Sequence, residues 1–84
     1  MKLLDCPIRL KVLRFFLDNP NSIDTPRGVS AWTNITIVEM RRILEELAKK
    51  GFLRAYRTSS TVGYSLTENK KALREISEAL KKAS

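Results

Sequence analysis

Histidine is absent from the sequence, and cysteine occurs once, at Cys6, among 84 residues. A lone cysteine excludes an internal disulfide. The lack of histidine excludes zinc sites built from Cys and His, and nucleophiles activated by a histidine base. No apolar run approaches the roughly 18 residues that cross a bilayer. We therefore expect a cytoplasmic protein that is not an enzyme, holds no metal or cofactor and has no membrane partner.

Acidic residues are also few, with nine Asp and Glu against 16 Lys and Arg, which leaves a net charge of +7. A surplus of this size favours a polyanionic partner, and nucleic acid first. The alternative is a basic protein whose charge serves only solubility. Glycine and proline number three each and no repeat is visible, so we expect one globular domain over residues 1–84 with a small core.

Hydrophobic periodicity predicts a mostly helical chain with one small antiparallel β-hairpin. Thr36–Glu39 is a capping box that opens the third helix, and Gly51 closes that helix. Asp5 is the expected N-cap of the first helix, and Thr25 or Asp24 that of the second. Ser22–Asp24 is too short for an independent element but can add one short strand to the sheet of the hairpin. The predicted elements are helices over 7–17, 26–33 and 37–50, a hairpin over 53–67 and a last helix over 68–82.

Three segments in this order resemble those of winged helix-turn-helix domains. Val29–Thr36 is similar to the turn between the two helices of the motif, Arg42–Leu53 to the exit of the recognition helix, and Gly63–Thr67 to the return strand of the wing. The resemblance spans about Ile8–Leu80 and is strongest to ArsR and MarR-like bacterial and archaeal regulators. It implies a three-helix core, a β-wing and a C-terminal helix, and binding of double-stranded DNA in transcriptional regulation.

The chain departs from these regulators at several positions. Metal-sensing members that resemble ArsR carry Cys and His ligands that this chain lacks, which argues against a metal-responsive role. Asn34 stands where glycine is usual, and asparagine tolerates the left-handed conformation that such a turn needs. Thr33 occupies a normally apolar site, so the register of the second helix is predicted only to within about one residue.

The exposed N-terminal half of the third helix supplies the candidates for contact with bases. An α-helix fits the major groove, and Arg42, which points away from the core stripe, can bind guanine through two hydrogen bonds. Arg41 lies nearer the core margin and is expected at phosphate. Thr36 and Glu39 also have the structural role of the capping box. The candidates on this helix are Thr36, Val38, Glu39, Arg41 and Arg42.

A stretch without acids, Leu47–Thr67, supplies further candidates for contact with phosphate. Its Lys and Arg residues form a basic stripe along the helix exit and the wing, and hydroxyl groups at the wing tip can donate to phosphate. The alternative for the tip is a solvated hairpin whose small polar residues only avoid aggregation. These candidates are Lys49, Arg54, Arg57, Ser59, Ser60 and Thr61, joined by Arg27 from the first turn of the second helix.

The two outer helices predict a homodimer. Apolar residues cover more than half of the first helix, so it either lies centrally under the other elements or packs partly on a second subunit. The last helix has an apolar stripe at spacings close to those of a coiled coil. Alternatively, Leu73 and Ile76 cap the chain's own core, and only the region near Leu80 is left to contact a second subunit. The predicted interface consists of Leu73, Ile76, Leu80 and Ala83.

Acids on the third helix leave a second function open. Glu39, Glu45 and Glu46 oppose DNA, although Glu45 can pair with Lys49 one turn further on. The alternative is a winged helix that serves as a protein-protein interaction module within a larger assembly. Trp32 is expected to cover the first helix, or else to contact the DNA backbone or a partner.

Overall fold

Four α-helices and a β-hairpin follow a short 3₁₀ turn in the computed structural model, which describes residues 3–83. This confirms the predicted fold class, mostly helical with a small antiparallel hairpin. Residues 1, 2 and 84 of the predicted domain lie outside the described residues. The elements are the turn Leu3–Asp5, α1 (Pro7–Asp18), α2 (Pro26–Thr33), α3 (Ile37–Lys49), β1 (Leu53–Arg57), β2 (Val62–Leu66) and α4 (Lys70–Ala83).

The N-caps of α2 and α3, and the turn between these two helices, form as the sequence predicts. Thr25 and Thr36 each accept a backbone N–H through the side-chain oxygen, from Gly28 at 3.2 Å and from Glu39 at 3.3 Å. These bonds satisfy donors that the first turn of a helix leaves without partners. Asn34 ends α2 in the left-handed conformation, with φ of 60°. The tight turn between the two helices is therefore fixed by its own residues.

A Schellman motif around Gly51 ends α3. The φ of Gly51 is +88°, a value that residues with a Cβ rarely adopt. Its N–H donates to the carbonyl of Ala48 at 3.1 Å, and the Phe52 N–H donates to the carbonyl of Leu47 at 2.9 Å. Lys50 is the C-cap, so α3 stops one residue before the predicted limit of 50.

Both ends of α1 differ from the prediction. Asp5 is not the N-cap, because it closes the 3₁₀ turn and the extended Cys6 takes the cap position without a side-chain hydrogen bond. The helix also runs past residue 17 to Asp18. The Asn19 side chain donates to the carbonyl of Phe15 at 2.9 Å, which satisfies an acceptor in the last turn.

The start of α4 lies at Lys70, two residues after the predicted limit of 68. The reason is the side chain of Asn69, whose Oδ1 accepts the Ala72 N–H at 3.0 Å and so acts as the N-cap. Thr67 stays outside the helix and accepts the Asn69 N–H at 3.1 Å. The helix then continues to Ala83, one residue beyond the predicted 82.

β2 is the middle element of the small sheet. It pairs antiparallel with β1, and on its other side Tyr64 exchanges two backbone hydrogen bonds of 2.8 Å with Asp24. The predicted short strand near Asp24 is thus a single bridge. Ile23 crosses so closely that a Cβ on Gly63 would lie 2.7 Å from its Cγ2 atom. Burial follows from this order: β2 is buried almost throughout, whereas β1 is exposed after Leu53.

The first of the two alternatives for α1 describes the structure, because this helix lies centrally. It packs against α2, α4, β2 and the 3₁₀ turn. Ile8, by contrast, is 43% exposed at the start of the helix. The α1 residues of the core are Leu10, Val12, Leu13 and Phe16.

Ile76 is the residue by which α4 enters the same core, and it is fully buried. Its assignment to a dimer interface is therefore wrong, since a side chain with no exposed surface offers a partner nothing. Leu73 and Leu80 are partly buried against the core, and Ala83 is exposed. Three of the four predicted interface residues keep some exposed surface.

The register of α2 is settled by two neighbouring side chains. Thr33 is buried, and its hydroxyl donates to the carbonyl of Val29 at 2.7 Å, which explains how a polar residue occupies an apolar site. Pro26 and Val29 complete the inward side of the helix. Trp32 is 78% exposed, so the expectation that it covers α1 is wrong.

Candidate nucleic-acid interface

The N-terminal half of α3 has one side that is exposed to solvent and does not pack in the core. Val38 is 80% exposed, and the side chain of Arg42 is 70% exposed. Arg41 is exposed as well. The opposite side of the helix is anchored in the core by Met40, Ile43, Leu44 and Leu47. Rotating α3 would expose these residues, so the outward direction of the two arginines is fixed by packing.

Two predicted base-contacting residues already contact each other. The Nη2 atom of Arg42 donates to Oε1 of Glu39 at 3.2 Å, three residues apart on the helix. Thr36 accepts the backbone N–H of Glu39 and so serves as the cap. The Glu39 carboxylate is thus turned toward Arg42. A base that takes Arg42 has to share this guanidinium with Glu39, which lowers the gain from the contact.

A cleft between α2, α3 and the hairpin brings together three of the predicted arginines. Arg27 comes from the first turn of α2, Arg41 from α3 and Arg57 from the end of β1. Between residues 3 and 83, neither Arg27 nor Arg41 forms an ion pair. The cavity, which we call the basic cleft, has a volume of about 600 Å³ and is also lined by Thr25, Pro26, Thr58, Ser60, Thr61 and Val62. Guanidinium and hydroxyl donors in this arrangement suit the oxygen atoms of a phosphate.

The hairpin tip at one edge of the basic cleft is an ordered turn. The Thr58 N–H donates to the carbonyl of Thr61 at 2.9 Å, and the Thr58 hydroxyl oxygen accepts the Thr61 N–H at 3.1 Å. Ser60 and Thr61 line the basic cleft, whereas Ser59 does not. Of the three predicted tip residues, two are therefore placed beside the arginines.

Glu45 joins α3 to the hairpin. The Nη2 atom of Arg57 lies 3.0 and 3.1 Å from the two carboxylate oxygens of Glu45, and the hydroxyl of Tyr64 donates to the same carboxylate. The expected pair of Glu45 with Lys49 is therefore replaced by contacts with both strands. Since Arg57 also lines the basic cleft, Glu45 influences where that guanidinium lies.

Electrostatics within this cluster follow from the same contacts. The Tyr64 hydrogen bond and then the Arg57 guanidinium lower the pKa of the Glu45 carboxyl from its ordinary 4.5. Burial, followed by the bond to Glu45, raises the pKa of Tyr64 to about 12. The bond to Glu45 also raises the pKa of Arg57. At neutral pH the cluster is an ionised carboxylate held by a neutral phenol and a cation.

Lys49 and Arg54 lie apart from the basic cleft. Lys49 lines a second cavity of about 580 Å³ with Arg42, Glu45, Glu46, Ala48, Ala55 and Arg57. Arg54 is at the base of the hairpin, where it pairs with Glu68 and lies 5.7 Å from the centre of the Tyr56 ring. The basic stripe predicted from the sequence is therefore divided between different sites.

Each of the three acids on α3 has an arginine partner. Besides Glu39 with Arg42 and Glu45 with Arg57, the carboxylate of Glu46 accepts from Nη2 of Arg9 on α1 at 2.7 Å. Arg9 and Tyr64 are partners that the sequence reasoning missed. No pattern in the sequence pointed to either partner, because Tyr64 lies 19 residues from Glu45 and Arg9 lies 37 residues from Glu46. These pairings offset the negative charge that α3 would otherwise present to a polyanion.

Neither a membrane-crossing helix nor a metal-binding group is found over residues 3–83. No helix there is long and apolar enough to span a bilayer. In the same range, His, Cys, Asp and Glu form no group of three or more that could hold a metal ion.

Comparison with known proteins rests on structures, because no family model and no curated protein matches the sequence. The homodimeric winged helix-turn-helix DNA-binding domain of a possible ArsR-family transcriptional regulator from Mycobacterium bovis superposes with a TM-score of 0.74, at 16% identity, over 96% of this chain and 71% of that one. A MarR family protein from Bacillus stearothermophilus gives 0.70 at 18% identity, over 92% of this chain and 52% of that one. The fold is the winged helix-turn-helix.

The winged helix-turn-helix also occurs as part of larger chains. Human N-acetylserotonin methyltransferase matches with a TM-score of 0.65 at 17% identity, over 79% of this chain but only 19% of the enzyme. The fold alone therefore does not determine function. In this fold α2 and α3 form the helix-turn-helix and the hairpin is the wing, so the basic cleft lies where the motif meets the wing.

Proposed function

We propose that this winged helix-turn-helix binds double-stranded DNA as a transcriptional regulator, with α3 in the major groove and the wing along the backbone. The basic cleft supports the proposal most strongly. Three guanidinium groups from three elements face one cavity, although Arg57 is shared with Glu45. Phosphate oxygens are the ligands that guanidinium forks bind in pairs. A duplex that places a phosphate in the cleft brings its groove to the exposed side of α3.

Sequence preference in this proposal comes from the N-terminal half of α3. Arg42 can donate to guanine, and the exposed Val38 offers an apolar contact to a thymine methyl group. Arg41 and Arg27 fix the register through phosphate and carry no sequence information themselves. Thr36 contributes mainly as the cap, since its oxygen is already engaged with the backbone.

The acids of α3 do not favour the protein-interaction alternative as strongly as the sequence alone suggests. All three are bonded to arginines of this chain, so a phosphate meets ion pairs rather than unpaired carboxylates. An acidic protein partner would have to compete with the same internal pairs as DNA. The uncompensated charge in the basic cleft is available to either polyanion, but the alignment of an exposed helix with a wing matches a groove and its backbone.

We also propose that the regulator is a homodimer that contacts its partner through α4. Leu80 and Ala83 near the end of the helix, with the half-buried Leu73, are the proposed contacts. The similar domain from Mycobacterium bovis is homodimeric. A two-fold axis would set two copies of α3 about one DNA turn apart and match a palindromic site. Light scattering at micromolar concentration tests this: a mass that stays near one 9.6 kDa chain would remove the dimer from the proposal.

Titration of a fluorescein-labelled random-sequence duplex tests DNA binding itself. We expect micromolar or weaker affinity that falls steeply between about 50 mM and 200 mM salt, because bound cations release counterions from the duplex. Replacing Arg27 and Arg57 together by Ala should weaken binding to all sequences alike and reduce the salt slope by about two. The matched control is the double change of Lys70 and Lys71 to Ala, which removes equal charge from the exposed start of α4.

Two outcomes would contradict the proposal. One is the absence of any binding at about 50 mM salt, where the electrostatic contribution is strong. The other is an equal loss of affinity in the cleft variant and in the α4 control, since this would mean that net charge and not the basic cleft determines binding. Either result would favour the protein-interaction module.

A further inference from the structure

Trp32 lies on the outer side of α2 with 78% of its surface exposed. Exposure of an indole to water is unfavourable, because burial of a large apolar surface lowers the free energy. Trp32 does not line the basic cleft, and neither do the two residues next to it in the sequence. This side chain has no role in the function proposed above.

Trp32 lines a third cavity, away from the two described above. It has a volume of about 340 Å³ and lies between the end of α1, the connection to the bridge residue and α2. Phe15 supplies another ring, which packs edge-to-face with Phe16 at a centroid distance of 5.3 Å. We call this cavity the tryptophan notch. Its lining residues are Phe15, Asp18, Asn19, Asp24 and Trp32.

The charge of the tryptophan notch is opposite to that of the whole chain. Two carboxylates line it and no Lys or Arg does, although the chain carries +7. Asp18 is the last residue of α1, where the helix dipole is negative and the last turn has no basic residue. A carboxylate in this position is unfavourable, and a cation beside it is favourable.

Partners within the chain satisfy these carboxylates only in part. Arg14 lies 3.6 Å from Asp18, with the two side chains 66% and 64% exposed, which is a weak pair in water. Asp24 accepts the hydroxyl of Ser22 at 2.7 Å, a bond that leaves its charge in place. The notch thus combines aromatic faces with negative charge, and both attract an organic cation.

We propose that the tryptophan notch is a docking site for an arginine side chain of a partner protein. A guanidinium stacks flat on an indole and at the same time donates to a carboxylate, which an ammonium does less well. The carboxylates repel phosphate, which argues against DNA as the occupant. A free small molecule is a poor fit, because such ligands bury most of their surface in an enclosed cavity and Trp32 stands largely in solvent.

This site is separate from the DNA interface and does not depend on it. The tryptophan notch and the basic cleft have no lining residue in common. A chain bound to DNA through α3 can therefore hold a protein at the end of α1. If the chain does not bind DNA, the notch remains as a docking site, so the two proposals fail independently.

Trp32 is the only tryptophan, so its fluorescence reports directly on the tryptophan notch. The probe is a short peptide of alternating arginine and leucine, compared with the same peptide carrying citrulline in place of arginine. Citrulline keeps the shape and removes the charge. We expect a saturable change in Trp32 emission with the arginine peptide, and binding at least about fivefold weaker for the citrulline peptide because the cation is lost.

Charge variants of the protein locate the effect. Changing Asp18 and Asp24 together to Asn should weaken binding of the arginine peptide by about fivefold or more. The fluorescence of Trp32 still reports binding in this variant. The matched control changes Glu75 and Glu78, both exposed on α4, to Gln and should leave the affinity within about twofold. Circular dichroism shows that each variant is folded.

Four results would overturn the proposal. The first is no saturable emission change at about 1 mM arginine peptide, and the second is equal affinity for the citrulline peptide. The third is equal weakening in the notch variant and in the α4 control. The fourth is protection of Trp32 from acrylamide by duplex DNA, or by raising the protein concentration alone. That result would make nucleic acid or a second copy the occupant.

Discussion

Both halves of α3 carry charged side chains, but these side chains have different contacts. In the first half, Arg41 lines the basic cleft, and within residues 3–83 the ion pair of Arg42 is with Glu39 on the same helix. In the second half, Glu45 bonds to the wing and Glu46 bonds to α1. The first half is therefore available to a ligand, whereas the second half attaches the helix to the elements that orient it. Charge counted along a helix does not reveal this division, because it depends on what each side chain faces.

The largest expected effect is on DNA affinity after changing Arg41 and Arg42 together to Ala. We expect a loss of about 100-fold on a preferred duplex at low salt, since one phosphate contact and one base contact disappear. The free energy of unfolding should change by less than about 0.5 kcal/mol, because both side chains are exposed. Anisotropy and urea unfolding measure the two quantities. A large loss of stability would show that the first half also holds the fold.

Glu45→Ala probes the opposite property of the second half. We expect the free energy of unfolding to fall by about 1–2 kcal/mol, because the buried Tyr64 hydroxyl loses its acceptor and the wing loses its bond to α3. Glu39→Ala is the matched control, because its ion pair joins residues of one exposed turn. Equal changes for the two variants in urea unfolding would mean that the halves do not differ.

The pH dependence of stability tests the contact between the second half of α3 and the wing. The pKa of Tyr64 is about 12 in the folded chain against about 10 for an unfolded tyrosine, so the folded chain holds the phenol proton more tightly. The resulting stabilisation is complete below about pH 10 and is lost as the pH rises toward about 12. We expect the advantage of the natural chain over Tyr64→Phe to shrink by about 1 kcal/mol between pH 8 and pH 11. If urea unfolding gave the same stability difference between the natural chain and Tyr64→Phe at pH 8 and at pH 11, the raised pKa of Tyr64 would be contradicted.

The smallest expected effect concerns Glu46. Changing Glu46 to Gln should lower the free energy of unfolding by about 0.5–1 kcal/mol, since its pair with Arg9 is only partly shielded from water. DNA affinity should rise no more than in Glu75→Gln, which removes the same charge from an exposed position on α4. A clearly larger rise in anisotropy titrations would place Glu46 in the interface.

Sequence was sufficient where structure depends on neighbouring residues. The caps at Thr25 and Thr36, the left-handed Asn34 and the closing Gly51 are all local chemistry, and each is confirmed. These signals, together with periodicity, predicted the fold. The start of α4 was missed even so, because Asn69 competes as a cap with the two residues before it.

The candidate site was less predictable, because its pairings join residues far apart in the chain. Arg57 and Tyr64 lie 12 and 19 residues from Glu45, and Arg9 lies 37 residues from Glu46. Only the packed fold decides which acid meets which base. The sequence could list the arginines but not select the three that share a cleft. Trp32 likewise became informative only when its exposure was known.

An amide-resolved NMR titration of the protein with duplex DNA tests most directly whether α3 and the wing bind DNA. We expect the amide resonances of Thr25, Arg27 and residues 36–42 and 57–62 to shift as DNA is added at about 50 mM salt. We also expect the single indole N–H resonance, that of Trp32, to stay in place, because the tryptophan notch shares no lining residue with the basic cleft. Shifts centred on α4 or on Trp32, with α3 and the wing unchanged, would contradict binding of DNA through α3 and the wing.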